Sequence, residues 1–133
     1  MSNYTITKTL KQPYTEVVEA VRTALEDEGF GVLTEIDLQA KLKEKLGVDI
    51  EPEIILGACR PPLALEAIQA DPSIAAVLPC NVVIRSVDKN TTVVDAFDPD
   101  AMMGLADNAT LHRIAADAKQ RLNAVLATLN GEN

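Results

Sequence analysis

The sequence has no tryptophan, only two cysteines and a single histidine, and aromatic residues make up 3% of it. Each shortage excludes something. One histidine and two thiols do not fill an ordinary four-ligand zinc site, and no C-x-x-C pair is present, so no metal is expected. A core this poor in rings must be built from Val, Ile, Leu and Ala. No run approaches the roughly 20 apolar residues of a membrane span. Met1 to Lys11 has no apolar signal core, so the expected location is the cytoplasm, with both thiols reduced. Basic residues are also short, 12 against 20 acidic ones, for a net charge of −8. They are dispersed along the chain, whereas a phosphate backbone needs a basic stripe. Neither nucleic acid nor an anionic membrane surface is an expected partner. No glycine-rich phosphate loop appears, since Gly29-Phe30-Gly31 reads as a helix stop and strand start. Ser2, Ser73 and Ser86 lack a nucleophile elbow. No cofactor is expected.

What is present suits one domain over residues 1–133, with 47% hydrophobic residues to fill its core. Tyr4 to Leu10 alternates and reads as a strand. Pro13 opens a helix with Val17, Val18, Val21 and Leu25 on one stripe, and Gly29 stops it. Phe30 to Asp37 is a second strand. Leu38, Leu42 and Leu46 with Gly47 make a short helix. Glu53 to Cys59 is a third strand, and Pro61-Pro62 open a helix ending at Asp71-Pro72. Cys80 to Val87 and Thr91 to Phe97 form a hairpin about Lys89-Asn90. Asp98-Pro99 starts a short helical turn through Met102 and Met103. Asp107 caps a last helix with the stripe Leu111, Ile114, Ala118, Leu122, Val125 and Leu129. This order of elements is α+β rather than doubly wound.

Alternation along the strands sorts side chains onto two faces. Val82, Ile84, Val94 and Ala96 form a purely apolar set for helices to cover. The other face mixes Leu33, Val83, Val87, Val93 and Phe97 with Glu35, Asp37, Arg85 and Asp95. Such a face is too apolar to be simply wet and too charged to be core. It reads as a self-association surface carried by Leu33, Val83, Arg85, Val93 and Phe97. The plainer alternative is ordinary exposed apolar surface.

The chemistry on offer is concentrated in Gly57-Ala58-Cys59-Arg60-Pro61-Pro62 and Leu78-Pro79-Cys80-Asn81. In an antiparallel sheet Cys59 and Cys80 share an edge. Arg60 and the helix N-terminus beside Cys59 favour its thiolate. Cysteine is also among the most buried residue types, so two core thiols explain the same positions. Glu35 and Asp37 are better read as exposed carboxylates beside Arg85 than as an acid–base pair. His112 flanks the last helix's stripe.

Those two segments, with Gly29 to Asp37 and Ile55-Leu56-Gly57-Ala58-Cys59, resemble the domain-of-unknown-function 302 family along nearly the whole chain. The resemblance implies an antiparallel sheet with two long helices on one face, similar to a TATA-binding-protein-like fold. It brings no activity with it. The leading expectation is a small dimeric module that binds a ligand or a partner and has no catalytic machinery; the ligand's identity is open. The rival is a cysteine-based redox or sulfur-handling protein. There Cys59 attacks, Cys80 resolves, and Arg60 and Asn81 bind the anion.

Overall fold

The backbone follows from a handful of stop and start residues. In the computed structural model, which describes residues 3–102, 104 and 107–129, the strands are β1 (Thr5–Leu10), β2 (Gly31–Asp37), β3 (Glu53–Cys59), β4 (Cys80–Asp88) and β5 (Thr91–Phe97). The helices are α1 (Tyr14–Asp27), α2 (Leu38–Leu46), α3 (Pro61–Ala70) and α4 (Ala109–Thr128). Two short 3-10 segments cover Pro72–Val77 and Pro99–Met102.

Gly29 takes φ 86°, which only glycine adopts cheaply. It lets the Phe30 N–H reach back to the Leu25 carbonyl at 2.9 Å and the Gly29 N–H to Glu26 at 3.0 Å. That pair of bonds is a Schellman motif, and Phe30 and Leu25 are both buried beside it. Asp37 caps α2 by accepting the Ala40 N–H at 2.9 Å, and Gly47 ends it at φ 71°. Asn108, not Asp107, caps α4, accepting from the Thr110 and Leu111 N–H groups. The cap falls one residue later because the helix itself begins at Ala109. Met103 lies outside the described residues.

The five strands lie in the order β1-β5-β4-β3-β2, each antiparallel to its neighbours. One face packs against α1 and α4. Val17, Val21 and Leu25 of α1 meet Leu122, Val125 and Leu126 of α4 over Leu56, Val82, Ile84, Val94 and Ala96 of the sheet. Each such Val, Leu or Ile side chain contributes about 1.5–3 kcal/mol on burial, so this single layered core positions everything else. The α+β class, the antiparallel sheet and the one-sided helix layer agree with the sequence reading.

One expectation is reversed. The ladder between β2 and β3 shifts between Val32 and Thr34, so Leu33 is a bulge residue without a cross-strand partner. A one-residue slip exchanges the faces of everything beyond it. Glu35 and Asp37 therefore turn to the helix side. Glu35 pairs with Arg22 of α1 at 2.6 Å, and Asp37 caps α2. Thr34 and Ile36 take their place on the open face.

Candidate functional site

The face away from α1 and α4 is the candidate site. Its middle row runs through all five strands: Ile36 beside Ile55, Ile55 beside Val83, Val83 beside Asp95, and Asp95 beside Thr7. Asp95 accepts a hydrogen bond from the Thr7 hydroxyl at 2.6 Å and another from Arg85 Nε at 3.1 Å. Both carboxylate oxygens are thus occupied, and the Arg85 charge is matched locally. The pair is solvent-accessible, so it contributes at most about 1 kcal/mol to stability. Its role is to tie three strands together in a mostly apolar surround.

The expected association residues are not equally available. Val83 and Phe97 are half-buried, and Arg85 is exposed. Leu33 is 59% exposed, but in the bulge at the sheet edge. Val93 is 7% exposed, sandwiched between its ladder neighbours Thr9 and Arg85, and offers a partner little area. Val87 occupies a second register shift at the end of β4 and is exposed.

Val77 and Pro79 overhang the start of β4. With Tyr4, Asn81, Val83 and Phe97 they shape a groove of about 340 Å³, which Thr5 and Asp95 complete. Tyr4 and Phe97 are two of only four aromatic residues in the chain. No pattern along the chain marks this groove, because its overhang is Val77, which ends a 3-10 segment with no apolar period to read, and Pro79 just beyond it.

The cysteines lie at the same edge of the sheet, as an antiparallel β3–β4 pair requires. Ala58 stands opposite Cys80, with Cys59 next along. Both thiols are free and buried. They line one small apolar cavity of about 50 Å³ with Phe30, Leu63 and Ala67. Burial, and then the nearby Cys59, pushes the Cys80 thiol up to about 11. Burial raises Cys59 as well. The expected lowering of the Cys59 pKa is thus reversed. Arg60 does not supply it, since its guanidinium is committed to Asp117 at 2.7 Å. Arg60 Nε is buried without an acceptor and packs on Gly29, where a Cβ would stand 3.1 Å from it.

His112 lines a second apolar cavity of about 60 Å³, alongside Cys80 and Met102. Among the described residues no group of three or more His, Cys, Asp or Glu is placed to hold a metal ion. None of their helices is long and apolar enough to cross a membrane.

The family pattern described as "Domain of unknown function DUF302" matches residues 6–129. The chain belongs to the DUF302 family. Its fold is similar to the crystal structure of an uncharacterized conserved DUF302 protein from Bacillus stearothermophilus. The two are 31% identical, with a TM-score of 0.83, over 95% of this chain and 98% of that one. No curated protein matches. The DUF302 match takes in both cysteines and every groove residue except Tyr4 and Thr5. The family description names no activity, so the reading of the site rests on its own geometry.

Proposed function

We propose that this DUF302 chain is a homodimeric interaction module, pairing through the open face of its sheet and carrying no catalytic machinery of its own. A cytoplasmic setting belongs to the same proposal. The observation that carries it is the charge of that face. The chain has a net charge of −8, and two copies repel wherever their acidic surfaces meet. On the open face the charged ladder residues come down to Arg85, Asp95, Glu53 and, at the far end of the β4–β5 ladder, Asp88, and Arg85 already neutralises Asp95. Around them stand Ile36, Ile55, Val83 and Phe97. Repulsion is least where apolar area is available, and that combination favours contact with a second copy. Sedimentation equilibrium is the test: a two-chain species that Phe97→Asp dissociates supports the proposal, and a single-chain species refutes it.

The dithiol reading keeps one observation in its favour, the cavity that Cys59 and Cys80 share. Against it stand two buried thiols whose protons are held more tightly than usual. A nucleophilic cysteine needs the opposite environment.

A further inference from the structure

We infer that the two apolar cavities beneath α3 form one chamber that binds a small neutral carbonyl compound with a short aliphatic body. The cavities, of about 60 and about 50 Å³, share Ala67 of α3, Leu78 and Cys80 around the start of β4, and Ile114 and Ala118 of α4. Five common wall residues make them two ends of one space between α3, α4 and the edge of the sheet. The space exists because alanine stands where the helices meet: Ala64 and Ala67 on one side, Ala115 and Ala118 on the other. It lies outside the core that holds α1 to the sheet. Ala67, Ile74 and Leu111 form a second, smaller cluster beside it, so occupancy leaves the main core undisturbed.

Size and lining select the guest. Each cavity exceeds the roughly 10–15 Å³ that one water needs, and the two together approach the roughly 150 Å³ of an apolar cavity that takes up benzene. That allows about six heavy atoms. A water held inside needs polar partners, and walls such as Leu63, Ile74, Leu78 and Ile114 supply none. An apolar guest therefore displaces no well-bonded water and gains contacts along the wall.

One end of the chamber is polar. Arg60 lines the smaller cavity. Its Nη1 is bound to Asp117 at 2.7 Å. Its Nε is the one side-chain nitrogen or oxygen, among the described residues, that is buried without a hydrogen-bond partner. Such a donor is costly to leave unmet, and a carbonyl oxygen on the guest is the acceptor it lacks. A carboxylate suits the place less well. Asp117 already balances the Arg60 charge, and burial keeps both thiols protonated and neutral. A second anion would lose its hydration for a guanidinium that is already matched.

Entry is past α3. Ala67 is the one buried residue of that helix, while Leu65 is 57% and Ile68 39% exposed. With so little apolar area holding it, α3 shifts outward more easily than the main core opens.

The test is methyl NMR of the full-length chain with two isosteric probes, 2-pentanone and butanoate. 2-Pentanone should shift the methyl signals of Leu63, Leu78 and Ile114 saturably, with a dissociation constant on the order of 1 mM, and leave those of Val17 and Val125 in place. Butanoate should bind at least tenfold more weakly. Ala118→Leu, and Ala64→Leu on the opposite wall, fill the chamber from half-buried positions; whichever is folded by circular dichroism should lose the 2-pentanone shifts. Arg60→Met keeps the stem, removes the donor and should weaken 2-pentanone at least fivefold. No saturable shift with 2-pentanone, or shifts undiminished in a folded filling variant, overturns the site. Butanoate binding as tightly as 2-pentanone, or Arg60→Met binding 2-pentanone as the wild type does, overturns the choice of guest.

Discussion

Ala58 sits directly opposite Cys80 in the β3–β4 ladder, which brings the two cysteines of the chain to one edge of the sheet and into one apolar cavity. Proximity there does not make a reactive pair. Cys80 is held up at about 11 against an ordinary 9.0 by burial, and Cys59 adds to the effect. At neutral pH both thiols should alkylate slowly in the folded protein and fast in denaturant. Quantitative labelling of either thiol within seconds under native conditions at pH 7 would contradict this.

The same shift has a consequence for stability. The folded state binds the Cys80 proton more tightly than the unfolded chain does. Its contribution is therefore complete below pH 9 and is lost as the pH rises from 9 toward 11. Denaturant midpoints measured across that window should fall for the wild type. In Cys80→Ala the fall should be shallower, although the starting stability is lower because of the cavity. Parallel curves for the two proteins would show that Cys80 is not the group responsible.

Gly57 is a packing requirement rather than a hinge. A Cβ there would lie 2.2 Å from Thr34 Oγ1 and 2.7 Å from Pro79 Cγ. Both neighbours lie on the open face, so Gly57 lets the overhang of the groove approach the sheet. Gly57→Ala should destabilise by about 2 kcal/mol or more, and Thr34→Ala in the same chain should recover part of that loss. Urea unfolding of the single and double variants measures both effects. A neutral Gly57→Ala would mean the overhang is loosely held.

Lys8 closes the far end of α4 from another element. Its Nζ donates to the carbonyls of Leu126 and Leu129, both at 2.9 Å. The last turn of α4 carries no basic residue of its own, so these carbonyls have no local cation. Lys8→Met keeps the apolar stem and removes the donor. It should cost about 1–2 kcal/mol and increase amide exchange in the last turn of α4 ahead of the rest of the helix. Unchanged exchange there would deny Lys8 this role.

Much of the fold was legible because its signals are local. Gly29, Gly47 and Pro61 each punctuate a helix through their own backbone limits. Strand β3 runs from Glu53 to Cys59 as its apolar run suggests. The site was less legible, because its geometry depends on cross-strand register. Nothing in Gly31 to Asp37 marks Leu33 as a bulge, yet that one residue moves Glu35 and Asp37 off the open face. Alternation puts Val93 on that face correctly, but whether Thr9 and Arg85 close over it depends on pairing between strands distant in sequence. The thiol environment stayed open between a core and a reactive reading for a related reason. The chain order puts Arg60 beside Cys59, while the fold turns its charge to Asp117 on α4.

The open face as a self-association surface is tested most directly by the solution mass of the wild type and of Phe97→Asp, measured by light scattering over a range of micromolar concentrations. The wild type should give twice the chain mass. Phe97→Asp, still folded by circular dichroism, should move to the single-chain mass, with a loss of about 2 kcal/mol or more in pairing. A wild type that stays at one chain mass throughout, or a dimer indifferent to Phe97→Asp, would contradict it.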